Sequence, residues 1–299
     1  MNNTGPNRSV KAMLQDGEFI TAPGVFDLVS AKIADRTTAQ AIYMTGYGVS
    51  ASYLGQPDAG LATYTDMLDR AEAIAAAVDK PLIADADTGY GGLLNVAHTV
   101  RGYERAGVSV IQLEDQHFPK KCGHTPNRRV IPTQEMVNKI KVASDARLSD
   151  EFLILARTDA LASLGLDEAL RRGEAYADAG ADILFIEAPQ SEEQMRKIGA
   201  AFDVPLLSNQ LHGGLTPILA PAQLQKMGFA AAIYPTAGLF AAAHALTGTY
   251  RALALGQPVS DPMCVFDDFV EMIGFPKIWE FESRYADQLA DQTPLPGHG

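Results

Sequence analysis

The sequence predicts an α/β fold, a (β/α)8 barrel of the TIM type, on three observations. Eight short apolar runs alternate with helical patterns along the chain, as the strands of a parallel sheet covered on both faces do. The turn after the first run, Ala22-Pro23-Gly24-Val25-Phe26, lacks the Gly-x-Gly-x-x-Gly of an open dinucleotide-binding sheet. Every run also changes from apolar to polar at the same end, which is where barrels place their active sites. An open doubly wound sheet is the competing arrangement.

The expected strands are residues 19–22, 41–45, 81–84, 108–113, 152–156, 182–186, 204–207 and 230–234. Between them, residues 65–78, 93–106, 133–148, 166–179, 191–201 and 221–227 carry apolar side chains at helical spacing. Gly or Pro marks most junctions, as at Ala106-Gly107 and Ala179-Gly180-Ala181. Residues 229–246 run 18 positions without a formal charge, mostly as Ala and Gly. With Pro235 inside, that stretch reads as a strand, a turn and a buried helix, not as a membrane span. A last helical pattern covers 266–289, ahead of a Pro/Gly-rich tail. Residues 1–299 are expected to form a single barrel domain, with 257–290 as a C-terminal helical arm.

Composition narrows the partners. The 299 residues hold 24 Lys plus Arg against 36 Asp plus Glu, a net charge of −12 without a basic run. Nucleic acid and anionic membranes are therefore not expected as partners. The N-terminus is polar and has no secretory apolar stretch. With only two cysteines, Cys122 and Cys264, a reducing compartment is expected, the cytoplasm in the first instance. Cys264, between Met263 and Val265, reads as a small core or interface residue.

The polar strand ends carry the chemistry. Asp27 follows the first run, and Thr45, Gly46 and Tyr47 follow the second. The third ends in Asp85 and Asp87, two apart and so on one face of a strand, and the fourth ends in Glu114 and Asp115. Carboxylates this close repel unless a cation or proton lies between them. Their all-oxygen character suits Mg2+, or Mn2+, better than Zn2+. Capping a helix and binding loop amides is the alternative role for this pair. Arg157 ends the fifth run and requires an anion, from a substrate carboxylate or from Glu187 at the end of the sixth. In Lys120-Lys121-Cys122-Gly123-His124, bounded by Pro119 and Pro126, two cations and a histidine are expected to lower the thiol pKa on a loop able to close as a lid. No His-x-x-x-His pair supports zinc, and Ser208 lacks the Gly-x-Ser-x-Gly setting of a triad hydrolase.

These segments are DADTGYGG, EDQHFPKKCGH, ARTDA and FIEAP, in that order. Together they resemble the isocitrate lyase and phosphoenolpyruvate mutase superfamily over about residues 8–285, and KKCGH is similar to its carbon–carbon lyase branch. The resemblance implies a (β/α)8 barrel whose C-terminal helices swap between paired subunits of a homotetramer. It implies Mg2+ held by Asp85 and Asp87, with Asp58 and Glu114 reaching the metal through water. Tyr43, Thr45, Gly46 and Tyr47 match the segment that binds the 2-oxo-acid half of the substrate. Arg157, Glu187, Asn209 and Pro235 match the remaining wall, beside Gly123 and His124 of the loop. Cys122 matches the general acid and Tyr43 is the candidate base.

Two departures bear on the substrate. Methylisocitrate-cleaving members, by the family pattern, read Asn-x-x-Glu-Phe-Gly on the seventh loop. This chain reads Asn209-Gln210-Leu211-His212-Gly213-Gly214, and it has Phe240 where they place an arginine. An acidic and a basic group are lost and an aromatic is gained. The resemblance therefore implies a small dicarboxylate with an alkyl substituent, a 2-alkylmalate such as 2,3-dimethylmalate, cleaved to a 2-oxo acid plus a carboxylate. Methylisocitrate cleavage is one alternative. Oxaloacetate hydrolysis or decarboxylation in the same barrel is another, weakened because the hydrolases carry serine at the position of Pro235. A non-catalytic metabolite-binding barrel is the remote one.

Overall fold

The structure is a computed structural model that describes residues 8–125, 127–260 and 262–289, with side chains to 286. The chain divides into two compact units, Met1–His244 and Ala245–Gly299. In the first unit eight strands close into a barrel in the order of the sequence. They are β1 (Ile20–Val25), β2 (Ile42–Met44), β3 (Leu82–Asp85), β4 (Val110–Glu114), β5 (Leu153–Thr158), β6 (Ile183–Ile186), β7 (Leu206–Asn209) and β8 (Ala231–Tyr234). All pair in parallel, and β1 joins both β2 and β8. The closed barrel excludes the open sheet.

The helices are α1 (Val10–Gln15), α2 (Leu28–Asp35), α3 (Gly46–Val49), α4 (Tyr64–Ala77), α5 (Leu93–Arg105), α6 (Thr133–Ala146), α7 (Leu161–Leu164), α8 (Leu166–Asp178), α9 (Glu192–Gly199), α10 (Pro221–Lys226), α11 (Ala237–Ala254), α12 (Phe266–Ile273) and α13 (Phe275–Leu289). Their starts are chemically marked. Thr63 and Asp66 form a reciprocal cap on α4, and Ser191 caps α9. Asp27 does the same for α2 through Ser30, so that strand-end acid is structural.

Side-chain alternation on the strands divides the apolar residues into two cores. One lies between the sheet and the helices and includes Met44, Ile111, Ile154 and Leu184. The other fills the barrel with Ile20, Tyr43, Ile83, Val110, Leu155, Phe185, Leu207 and Ile233. Val10 and Met13 of α1 join this inner cluster, so the short first helix stoppers the N-terminal end of the barrel. What remains open is the C-terminal end.

Four expectations change. β1 runs through the expected turn to Val25. The uncharged stretch supplies β8 and the start of α11, but no side chain of α11 is buried. Its missing charges reflect small residues, which mark surface as readily as core. The last helical pattern is two helices, α12 and α13, divided at Gly274 with φ 103°, a backbone state that favours glycine. Cys264 is exposed, so it is not a core residue. Among the described residues no helix is long and apolar enough to cross a membrane.

Candidate active site

The inward alternation of the strands continues past the apolar core into polar residues. Tyr43 leads to Thr45, Ile83 to Asp85 and Asp87, and Val110 to Gln112 and Glu114. Leu155 leads to Arg157 and Asp159, Phe185 to Glu187, and Leu207 to Asn209. Register keeps them level: Asp85 pairs with Gln112 across β3 and β4, and Glu114 with Arg157 across β4 and β5. They surround a cavity of ≈ 230 Å³ at the mouth of the barrel, a volume for a small acid rather than a drug-sized ligand.

The four acids of one wall share a single ammonium. Lys120 Nζ lies 2.5 Å from Asp58 Oδ1 and 2.6 Å from Asp87 Oδ1, and its side chain is 4% exposed. Burial opposes its charge, but Asp87 and Asp58 raise its pKa well above the ordinary lysine value. Burial, resisted by Lys120 and reinforced by Asp85 and Asp58, pushes the Asp87 carboxyl up to about 7. Burial likewise holds Glu114 well above the usual carboxylate range, against the pull of Arg157. Asp85 accepts from the backbone amides of Gly46 (3.2 Å) and Asp87 (3.1 Å). Binding loop amides is therefore part of what Asp85 does. Gly46 leaves this room, because a Cβ there would stand 2.6 Å from Asp85 Oδ2.

This wall remains short of positive charge. Glu114 Oε1 is buried and receives no hydrogen bond, and Asp87 Oδ1 has the Lys120 ammonium at 2.6 Å. Among the described residues no three His, Cys, Asp or Glu side chains stand as a preformed metal-binding group, since Lys120 occupies the space between two of the acids. Four acids around one ammonium, with Glu114 Oε1 left unpaired, still form a donor set for a hard divalent cation.

The opposite wall is built on Arg157. Asp159 grips its guanidinium in a fork of 2.8 and 3.0 Å, and Glu114 and Glu187 each lie 3.4 Å away. The anions demanded by this buried cation are thus largely internal. Asp159 is itself oriented by Asp115, which accepts its backbone N–H at 2.9 Å. Asp115 is held in turn by Thr158 (2.7 Å), Tyr176 (2.7 Å) and Arg172 (2.9 Å). Burial would raise the Glu187 carboxyl, yet Arg157 and the hydrogen bond from His124 bring it down to about 2.

The loop after β4 covers the mouth. His124 donates from Nε2 to Glu187 Oε1 (2.8 Å) and accepts at Nδ1 from the amide of Leu215 (3.0 Å). This linkage ties the loop to the segment after β7. Gly123 packs against Arg157 and Glu187 so closely that a Cβ would overlap both. The expected lowering of the Cys122 thiol pKa is not found: burial pushes it up. Lys120 is turned toward Asp58 and Asp87, so proximity in sequence overstated its effect on the thiol.

Tyr47, Thr45, His212, Pro235 and Phe240 line the cavity as expected, while Gly46 and Asp87 stand behind it. The Tyr47 and Phe240 rings meet edge to face at 6.4 Å. Leu211 and Ile233 also line the cavity. Sequence reasoning passed over these two and Gln112, and it places Asp159 and Thr236 only among the polar strand ends without a role. Gln112 did carry a signal, being the one polar residue inside the run Val110-Ile111-Gln112-Leu113. Tyr43 is fully buried, and burial with the Asp85 charge raises its hydroxyl pKa well above the tyrosine value. That narrows its expected role from tyrosinate base to neutral hydrogen-bonding group.

Comparison with known proteins agrees with this geometry. The family model described as phosphoenolpyruvate phosphomutase matches residues 10–254. The chain is 48% identical over 280 residues to 2,3-dimethylmalate lyase of Eubacterium barkeri, covering 93% of this chain and 97% of that protein. Oxaloacetate acetylhydrolase bound to 3,3-difluorooxalacetate superposes with a TM-score of 0.89 at 37% identity, over 93% of this chain and 96% of that one. Phosphonopyruvate hydrolase in complex with oxalate and Mg2+ gives a TM-score of 0.84 at 32% identity, over 94% and 99%.

Proposed function

The chain belongs to the phosphoenolpyruvate mutase and isocitrate lyase superfamily and is a carbon–carbon lyase, and on that premise we propose that it cleaves a 2-alkylmalate-type dicarboxylate such as 2,3-dimethylmalate. One observation carries the choice of substrate. Tyr47, Leu211, Ile233, Pro235 and Phe240 line the cavity, and these apolar contributions favour an alkyl substituent over a third carboxylate that would lose its hydration.

The reaction breaks the C2–C3 bond of a 2-hydroxy diacid. The hydroxyl proton passes through water to Glu114, whose carboxylate burial makes a stronger base. C2 becomes the carbonyl of a 2-oxo acid, and the bonding pair stays on C3 as the enolate form of the departing carboxylate. A proton delivered to C3 completes the second product. Arg157 and the Asn209 amide face the developing negative charge, and buried Thr236 Oγ1, without a partner among the described residues, supplies a further hydroxyl. Cys122 delivers the proton, and a thiol pushed up by burial holds that proton at neutral pH. Gly123 and His124 bring the thiol over the cavity and exclude water. Tyr43 positions the substrate hydroxyl.

We place Mg2+, or Mn2+, at Asp85 and Asp87, with Asp58 and Glu114 acting through water and Lys120 yielding its place between Asp58 and Asp87. Bound there, the ion would supply Lewis-acid stabilisation of the oxo acid as it forms. The working enzyme is proposed as a homotetramer of helix-swapped pairs in a reducing compartment such as the cytoplasm, where Cys122 stays a thiol.

A panel assay with 2,3-dimethylmalate, the citramalates, methylisocitrate and oxaloacetate, with and without EDTA, tests the reading. Turnover of an alkylmalate, lost with the chelator, is expected. Methylisocitrate turning over at least as well as every malate would overturn the substrate assignment, and oxalate release from oxaloacetate would place the chain with the hydrolases.

A further inference from the structure

Gln112 lies in the middle of β4 with no exposed surface, level with Asp85 on the neighbouring strand. Its Nε2 donates to Asp85 Oδ1 at 3.3 Å, and its Oε1 accepts from the Tyr43 hydroxyl at 3.3 Å. It does not line the cavity, whereas Tyr43 and Asp85 both do.

The direction of these bonds follows from Asp85. Both of its oxygens already accept backbone amides, Oδ1 from Asp87 and Oδ2 from Gly46. Each oxygen therefore acts as an acceptor, and the carboxamide turns its NH2 group toward Oδ1. The amide oxygen then faces Tyr43, and the phenol proton is committed to that oxygen. Toward the cavity, Tyr43 is left with lone pairs alone.

We infer that Gln112 is a positioning residue that sets the polarity of Tyr43, making it a hydrogen-bond acceptor that selects acids bearing a 2-hydroxyl. The inference rests on the proposed role of Tyr43 against the substrate hydroxyl. It assigns to a buried residue, one layer beneath the cavity-lining Glu114 on the same strand, the discrimination between a 2-hydroxy acid and its deoxy counterpart. Without Gln112 the phenol turns freely and can donate as well as accept, so the preference for a hydroxyl donor weakens.

The test measures two ligands on the Mg2+-loaded protein by calorimetry, malate and succinate, which differ by one hydroxyl. It adds kcat/KM for whichever alkylmalate the panel assay finds. Gln112→Met keeps the volume and removes both hydrogen bonds. It is expected to lower kcat/KM and malate affinity by roughly tenfold or more, the scale of a lost buried hydrogen bond, and to leave succinate affinity within about twofold. Gln112→His restores a donor and an acceptor on opposite ring nitrogens and is expected to recover most of the loss. If Gln112→Met fails to fold, Gln112→His alone decides, because it must retain the malate-over-succinate preference. Tyr43→Phe and the double variant should lose similar amounts, since each removes the same interaction.

Parallel loss of malate and succinate affinity in Gln112→Met, additivity in the double variant, or loss of the malate-over-succinate preference in Gln112→His would overturn the inference. A Tyr43→Phe protein with undiminished kcat/KM and malate affinity would overturn the role of Tyr43 first, and that of Gln112 with it. Loss in Tyr43→Phe beside an unaffected Gln112→Met removes the Gln112 inference alone.

Discussion

Cys122 and Glu187 face the same cavity with opposite protonation, and burial acts on both. Nothing nearby outweighs it for the thiol, which is pushed up and stays protonated. Arg157 and His124 outweigh it for Glu187, which falls to about 2. Cys122→Ser is expected to lower turnover by roughly 10²–10⁴-fold, the contribution of one positioned proton donor. Mg2+ and succinate binding should be retained by calorimetry. Because the folded pKa of Glu187 is depressed, its contribution to stability is complete above the unfolded value of about 4.3 and disappears as pH falls toward about 2. Urea unfolding of wild type and Glu187→Gln should therefore differ most near neutral pH, by on the order of 3 kcal/mol. The two should converge between about pH 4.5 and 2.

At the scale of elements, the strands were legible because an apolar run and its polar end obey one alternation. Once Ile83 points inward, Asp85 follows by parity, and Leu155 places Arg157 by the same rule. Loops carry no such rule. KKCGH identifies a chemically loaded segment, but only tertiary contacts send Lys120 to Asp58 and Asp87. The loop after β3 likewise hides its constraints. Asp87 and Tyr90 have φ of 48° and 58°, costly states for residues with side chains. The segment is pinned by Lys139 Nζ on Thr88 O (2.9 Å) and by the Tyr103 hydroxyl, which donates to Asp85 O (3.1 Å) beside the Tyr90 hydroxyl (3.1 Å). Tyr103→Phe is expected to cost about 1–3 kcal/mol in denaturant unfolding, the penalty of unpaired buried polar groups. It should also weaken Mg2+ binding measured by calorimetry.

For the molecule as a whole, the net charge of −12 argues against polyanions as partners yet says nothing of the alternation of charge inside the site, where Lys120 and Arg157 are each surrounded by acids. The second unit shows a similar gap between pattern and partner. Phe266 on α12 and Ile278, Trp279 and Phe281 on α13 are exposed, and large apolar side chains in such number mark protein–protein contact. Trp279→Asp with Phe281→Asp is expected to convert a tetramer to a smaller species in light scattering while the circular dichroism of the barrel persists. An unchanged mass would remove these side chains from the interface.

The stopper that Val10 and Met13 place in the far end of the barrel has a kinetic consequence. A reaction that makes two molecules from one is confined to a chamber with a single doorway, and Gly123 and His124 stand across it. Substrate and both products share that one open end, so the two products must leave by the route on which the next substrate arrives.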